Sequence, residues 1–141
     1  MKTPLSILVV DDHPGLVASI GLLLSSAGYC VLAAGDGVEA LAVLRSHPVD
    51  FILSDIDMPR MNGYQLREHV RENLQWGIIP FIFMTGHATD CEIYSKELGV
   101  DDILIKPIAP HDLLATVRGK LRRADYWRSC RARPLVWATL W

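Results

Sequence analysis

Short apolar runs alternate along the chain with longer stretches in which apolar residues recur at helical spacing. The runs are continuous rather than alternating with polar residues, which predicts strands that are buried on both faces, as in a parallel sheet. Five strands are predicted in this way: Ile7–Val10, Tyr29–Ala33, Phe51–Leu53, Ile78–Met84 and Ile103–Ile105.

The segments between the runs carry apolar residues every three or four positions and therefore predict helices. Strand and helix then alternate five times, which predicts an α/β fold with an open parallel sheet and helices on both faces. Ligands of such sheets bind at the carboxyl ends of the strands. The five predicted helices are Leu16–Ala27, Gly37–Arg45, Asn62–Leu74, Asp90–Leu98 and Pro110–Arg123.

The 141 residues suffice for one domain, which we assign to residues 1–123. The remaining segment, 124–141, lacks the apolar spacing and is rich in tryptophan and arginine. It has two interpretations. It is either an unstructured tail, including the start of a linker, or a docking segment, because Trp and Arg are favoured as interface anchors.

The composition, half apolar and about a fifth charged, is that of a globular protein. A net charge of -2 gives no indication of direct binding to nucleic acid or to an anionic membrane. The early apolar run Leu5–Val10 ends at two aspartates without a cleavage site, and no apolar stretch could span a bilayer. The three scattered cysteines form neither a disulfide framework nor a metal-ligand pattern. We therefore expect a cytoplasmic protein with reduced thiols and no membrane contact.

Polar residues that can carry out chemistry follow four of the five predicted strands. Asp11 and Asp12 end the first strand, Asp55 the third, Thr85 the fourth and Lys106 the fifth. In a parallel sheet these ends meet at one edge. Crowded carboxylates with hard oxygen ligands suit Mg²⁺, and a carboxylate beside Mg²⁺ can attack phosphorus to form an acyl phosphate. The ammonium group of Lys106 would then balance charge on the phosphoryl oxygens.

Four stretches resemble the signature sequences of bacterial response-regulator receivers, and the resemblance extends over about residues 5–123. It implies a flavodoxin-like (βα)5 fold, a doubly wound sheet of five parallel strands in the order 2-1-3-4-5. It also implies a signalling switch of two-component systems, which catalyses only its own phosphorylation and dephosphorylation. The four stretches are Val9–His13, Ser54–Pro59 with Asn62–Gly63, Met84–His87 and Gly99–Pro107.

The resemblance also implies a role for each acidic residue. Asp55 would accept the phosphoryl group. Mg²⁺ would be held by Asp12, Asp55 and the backbone carbonyl of Asp57, whose side chain we expect to point outward. Asp11 would hold a metal-bound water and contact Lys106.

The switch is also implied by the resemblance. Thr85 would move toward the phosphoryl group, and the Lys106–Pro107 peptide bond would be cis. Receivers commonly have Tyr or Phe three residues before the lysine, where this chain has Ile103. Since Ile103 would not contact the phosphoryl group, we expect phosphorylation to persist without an aromatic ring at this position of the switch. His87, two residues after Thr85, is a candidate modulator of acyl phosphate hydrolysis.

The implied partners are a sensor histidine kinase or histidine phosphotransfer protein as donor, and a downstream effector or a missing output domain as receiver of the signal. Many receivers dimerise when phosphorylated, so a phosphorylation-dependent homodimer is left open.

Two other functions are compatible with parts of the sequence, and a third lacks its required motif. Asp55-Ile-Asp57 resembles the nucleophile motif of haloacid-dehalogenase-type phosphatases, although there the motif follows the first strand. A receiver fold can also serve as an interaction module that is not phosphorylated. A flavin or nucleotide binder would need a glycine-rich phosphate loop after the first strand, where this chain has the two negative charges of Asp11 and Asp12.

Overall fold

The computed structural model describes residues 3–86 and 103–132, with side chains in the last helix described as far as residue 124. Within these ranges no helix combines the length and the apolar character that crossing a membrane requires. The predicted helix Asp90–Leu98 and the candidate residue His87 lie outside the described residues.

The described strands form one parallel sheet in the order β2-β1-β3-β4-β5, which confirms the predicted α/β class and strand order. The fourth strand begins at Phe81, later than the predicted Ile78, because Pro80 has no N–H to donate and Ile78 is 46 % exposed. The strands are β1 Ser6–Val10, β2 Cys30–Ala34, β3 Phe51–Asp55, β4 Phe81–Thr85 and β5 Ile103–Ile105.

Four helices lie within the described ranges, and their ends are set by local sequence. The side chain of His13 caps the first helix, in which Pro14 is the first residue, and Asn62 forms a capping box with Gln65 at the third. The third helix ends at Glu72, before the fully exposed Leu74 that the apolar spacing had included. The helices are α1 Pro14–Ser26, α2 Gly37–Ser46, α3 Gly63–Glu72 and α4 Pro110–Ala132.

The last helix continues past the predicted end at Arg123 to Ala132. Its apolar spacing stops near Leu121, but no proline or glycine follows until Pro134, so the backbone has no reason to leave the helix. A helix end inferred from packing positions alone was therefore too early. The division between domain and tail remains a prediction.

The sheet separates two apolar clusters. One contains residues of α2 and α3, such as Leu41 and Leu66, and the other contains residues of α1 and α4, such as Leu24 and Val117. The residues of β1 from Ile7 to Val10 are fully buried, as expected for a central strand covered on both faces. Helices thus cover the two faces, while the carboxyl ends of the strands remain for a site.

Candidate functional site

The strand register aligns the carboxyl ends of the central strands. Val10 pairs with Ser54, Asp55 with Met84, and Thr85 with Ile105. The residues that follow these positions are therefore brought to one edge of the sheet, as the sequence predicted. Asp11 is held there by its backbone N–H, which donates to the carbonyl of Ala34 at 3.0 Å.

Three carboxylates meet at this edge. One oxygen each from Asp11, Asp12 and Asp55 can be chosen so that all three lie within 4.8 Å of one another. Asp11 is buried and Asp12 is exposed, so the group opens toward solvent on one side. Carboxylate oxygens without nitrogen or sulfur ligands fit a hard cation such as Mg²⁺. Asp57 is exposed and its carboxylate is not a member of this group. A metal contact through its backbone carbonyl stays a prediction.

Lys106 brings an ammonium group to the same cluster. Its Nζ lies 2.8 Å from Oδ2 of Asp11 and 3.3 Å from Oδ1 of Asp55. The backbone N–H of Lys106 donates to the carbonyl of Thr85 at 2.7 Å, which ties the residue to the end of β4. The Lys106–Pro107 peptide bond is cis, which confirms that expectation. The predicted contact between Asp11 and Lys106 is thus present, and both acids share one cation.

The two oxygens of Asp11 are both occupied, because Oδ1 accepts the backbone N–H of His13 at 2.9 Å while Oδ2 accepts from Lys106. Asp55 is held differently. Its Oδ1 accepts the N–H of Ile56 at 2.9 Å and faces Lys106, whereas no described residue donates a hydrogen bond to Oδ2. Asp11 is therefore fixed in orientation, while Asp55 keeps one oxygen available to an incoming group.

The proximity of these charges shifts two pKa values. Burial, followed by repulsion from Asp11, raises the pKa of Asp55, and the opposing effects of Lys106 and the Ile56 N–H do not cancel this. Burial alone would lower the pKa of Lys106, but its hydrogen bond to Asp11 and the attraction of Asp55 raise it above the ordinary value. Lys106 is therefore a cation at neutral pH, and the site contains more negative charge than one ammonium group can balance.

Thr85 and Ile103 occupy the positions that the switch prediction assigned to them in the sequence. Thr85 ends β4 with 2 % of its surface exposed. Ile103 pairs with Phe83 across the sheet and packs against the cluster on the α2 and α3 side, where Tyr64 contacts Phe83 edge-on at 5.1 Å between ring centroids. Movement of Thr85 on phosphorylation stays a prediction.

Gly63 supports the site through its backbone and through its lack of a side chain. Its N–H donates to the carbonyl of Ile56 at 2.8 Å, which closes the loop that follows Asp55. A Cβ at this position would collide with the backbone carbonyl of Asp55 and lie 3.0 Å from Cα of Ile56. The start of α3 can approach the end of β3 this closely only because residue 63 has no side chain. In the sequence, the Asn-Gly pair at the start of a predicted helix was the feature that could have indicated this close approach.

We expect Gly63→Ala to destabilise the chain by about 2 to 4 kcal/mol, because the colliding atoms belong to backbone that cannot rotate away. Gly119→Ala is the matched control. Its Cβ would meet nothing within 4 Å, and it lies in the interior of α4, so it should stabilise by about 0.5 to 1 kcal/mol. Urea unfolding of both variants measures the difference, and equal stabilities would refute the close approach at Gly63.

A doubly wound parallel sheet with its acidic site beyond the carboxyl ends of the central strands defines a flavodoxin-like α/β domain. The family model of the response regulator receiver domain matches residues 7–118, and the chain belongs to this family. It is thus a receiver domain of the response regulators that act in two-component systems.

Relatives and solved structures agree with this assignment. The chain is 36 % identical over 125 residues to "Response regulator Rre1" of Synechocystis, covering 87 % of the chain and 54 % of that protein. It is 35 % identical over 127 residues to "Probable transcriptional regulator ycf27" of Guillardia theta, covering 89 % and 48 %. Chemotaxis response regulator CheY4 of Vibrio cholerae has a similar structure, with a TM-score of 0.75, 33 % identity and coverage of 84 % and 99 %. The chain thus spans about half the length of the curated relatives it matches.

Proposed function

We propose that this receiver accepts a phosphoryl group on Asp55 in a magnesium-dependent reaction. The observation that carries the proposal is the meeting of Asp11, Asp12 and Asp55 within 4.8 Å, beside an ammonium group 3.3 Å from the acceptor. An interaction module that is not phosphorylated would gain nothing from keeping these repelling charges together. The excess negative charge is the physical reason for a cation requirement.

In the proposed reaction, Oδ2 of Asp55 attacks the phosphorus of a phosphohistidine. A bond forms between that oxygen and phosphorus, the P–N bond breaks, and its electron pair remains on the imidazole nitrogen of the donor. Lys106 faces the phosphoryl oxygens and stabilises the negative charge that they carry in the transition state. The same site later admits the water that hydrolyses the acyl phosphate, so the chain is a self-modifying switch rather than a metabolic enzyme.

The residues for the metal are those that crowd the acceptor. Asp12 and Asp55 would contribute carboxylate oxygens, the backbone of Asp57 a carbonyl, and Asp11 a hydrogen bond to a metal-bound water. Mg²⁺ bound there would neutralise charge on the phosphoryl oxygens and on the acids themselves. Because Asp11 already binds His13 and Lys106, its part is to orient neighbours rather than to react.

Signal transfer would follow from Thr85. Its hydroxyl would donate to a phosphoryl oxygen, and the strand end to which Lys106 is bonded would move with it. Ile103 would repack in place of the rotating aromatic ring of other receivers.

A histidine kinase or phosphotransfer protein in the cytoplasm would supply the phosphoryl group, and an effector or an attached output domain would respond. A homodimer formed on phosphorylation is one form of that response.

The test is to incubate the chain with acetyl phosphate, with Mg²⁺ or with excess EDTA, and to measure the intact mass. We expect one added phosphoryl group with Mg²⁺ and none with EDTA. Beryllium fluoride binding in the presence of Mg²⁺ controls for an adduct that hydrolyses before detection. Absence of both the adduct and the fluoride complex would refute the proposal, and steady turnover of a generic phosphomonoester would favour the dehalogenase-type phosphatase instead.

A further inference from the structure

The loop between β3 and α3, residues 56–62, is attached through its second half to the start of α2. Arg60 donates from Nε to Oδ2 of Asp36 at 2.7 Å, and its Nη2 lies 2.6 Å from the same oxygen. The carboxylate of Asp36 is buried, with 7 % of its side chain exposed, whereas the Arg60 side chain is 57 % exposed. A partly exposed arginine of the loop therefore pairs with a buried carboxylate at the start of α2.

The backbone at Arg60 is unusual. Its φ is 64°, the only positive φ outside glycine among the described residues. The N–H of Met61 donates to the carbonyl of Pro59 at 2.7 Å, so Arg60 stands at the centre of a three-residue turn. Residues with side chains adopt this conformation at a cost and keep it only where surrounding contacts impose it. The pair with Asp36 is one such contact.

Other contacts join the same two segments. The N–H of Gly37 donates to the carbonyl of Met61 at 3.2 Å, and a Cβ at Gly37 would lie 2.6 to 2.8 Å from the Met61 side chain. The backbone N–H of Glu39 donates to Oδ1 of Asp36 at 2.9 Å, and this hydrogen bond caps α2. Each oxygen of Asp36 thus has a separate function: Oδ1 caps α2, and Oδ2 binds Arg60 of the loop.

The charge on Asp36 is maintained by these contacts. The hydrogen bond from the Glu39 N–H outweighs the effect of burial and, together with Arg60, lowers the pKa of Asp36 below its ordinary value. The carboxylate is therefore ionised at neutral pH, so the contact with Arg60 joins two opposite charges.

We propose that Asp36 and Arg60 act as a positioning pair that holds the loop after Asp55 in the shape that binds Mg²⁺. Arg60 lies three residues after Asp57, whose carbonyl is the proposed metal ligand, and three residues before Gly63, which closes the loop. Neither member of the pair belongs to the acidic group at the strand ends. The inference rests on the proposed magnesium site and assigns part of its affinity to a contact between α2 and the loop.

Simple charge effects and positioning predict opposite results for one of the two variants. If only long-range electrostatics matters, loss of the positive Arg60 removes a repulsion and should tighten Mg²⁺ binding, while loss of the negative Asp36 removes an attraction and should weaken it. Positioning predicts that Arg60→Gln and Asp36→Asn both weaken binding. Asn is as good a helix cap as Asp, so Asp36→Asn removes the pair and keeps the start of α2.

The experiment is calorimetric titration of Mg²⁺ into the whole chain, with phosphorylation by acetyl phosphate measured over a range of Mg²⁺. We expect Arg60→Gln and Asp36→Asn each to raise the Mg²⁺ dissociation constant at least about threefold. This is less than the roughly 10- to 100-fold loss seen when a group bonded directly to a metal ligand is removed. The phosphorylation rate at saturating Mg²⁺ should stay near that of the native chain. The double variant should have a Mg²⁺ dissociation constant no higher than that of the single variant that binds Mg²⁺ less tightly.

Two further variants separate the causes. Arg60→Gly removes the pair but accepts a positive φ freely, so equal weakening in Arg60→Gly and Arg60→Gln would assign the effect to the pair rather than to backbone strain. Arg45→Gln, at the exposed far end of α2, removes the same charge and should leave the dissociation constant unchanged.

Tighter or unchanged Mg²⁺ binding in Arg60→Gln, with native binding intact, would overturn the positioning role and leave the proposed function standing. A lowered melting temperature with an unchanged dissociation constant would do the same, because it would show that the pair only stabilises the fold. Absence of Mg²⁺ binding by the native chain would overturn both the pair's role and the magnesium site.

Discussion

Replacing Asp55 with asparagine is expected to abolish magnesium-dependent phosphorylation of the chain. The amide keeps the shape of the carboxylate, but it is not a nucleophile and removes one of the charges that attract the metal. Because one oxygen of Asp11 accepts from His13 and the other from Lys106, either oxygen would have to give up its contact to take over as acceptor. Intact-mass measurement after incubation with acetyl phosphate and Mg²⁺ should show no adduct.

The loss should not come from unfolding. Because the folded-state pKa of Asp55 is raised, the folded chain holds the proton more tightly than the unfolded chain does, and stability falls as pH rises from about 3.9 through the folded-state pKa. Asp55→Asn removes this penalty. At neutral pH it should be at least as stable as the native chain, with a gain of about 0.5 to 2 kcal/mol that disappears in acid.

Asp57→Asn is the matched control for this prediction. It makes the same chemical change two residues away, on an exposed side chain, and leaves the backbone carbonyl in place. It should therefore retain the adduct. If the Asp55→Asn variant were phosphorylated and the Asp57→Asn variant were not, the assignment of the acceptor would be contradicted.

Lys106→Gln is expected to slow phosphorylation by about 10² to 10³-fold, the usual effect of removing one group that stabilises transition-state charge. Glutamine retains hydrogen-bonding capacity but provides no positive charge at the 3.3 Å contact with Asp55. Asp55 remains the acceptor, so the adduct should still form slowly. The rate is measured by quenching the reaction at successive times and determining the intact mass. Lys120→Gln on α4 is the control for loss of a lysine elsewhere.

The same variant should destabilise the chain in the absence of metal. It leaves Asp11, which is 3 % exposed, buried beside Asp55 without a counter-charge. Since Lys106 is itself 22 % exposed, we expect a loss of about 1 to 3 kcal/mol, below the value for a fully buried pair. The raised pKa of Lys106 means that its stabilisation is complete below pH of about 10.4 and is lost as pH rises through the folded-state pKa. Native-like rate and stability in Lys106→Gln would show that this ammonium group has no part in the site.

The residues at the strand ends were predictable because parallel topology alone brings them together. Continuous apolar runs fixed the number of strands, and the polar residue after each run marked the edge of the sheet. The cluster of Asp11, Asp12 and Asp55 follows from those two facts, without any knowledge of side-chain conformations.

The pair of Asp36 and Arg60 could not be found in the same way. The two residues are 24 positions apart, and nothing in a single sequence shows that an exposed loop arginine adopts a positive φ to reach a helix cap. The end of α4 was missed for a different reason. Apolar residues at helical spacing stop near Leu121, while the helix itself continues to Ala132. A helix that buries no apolar face has no periodic pattern in the sequence, so its end cannot be found from that pattern.

The position of the phosphoryl group is the most direct test of the central claim. The chain is phosphorylated with acetyl phosphate and Mg²⁺, the acyl phosphate is reduced with borohydride, which converts the modified aspartate to homoserine and releases phosphate, and the peptides are mapped by mass spectrometry. We predict homoserine at position 55 alone, and only in the sample that contained Mg²⁺. Homoserine at position 11, 12 or 57, or none in a chain that had gained the phosphoryl mass, would contradict the assignment of Asp55 as the acceptor.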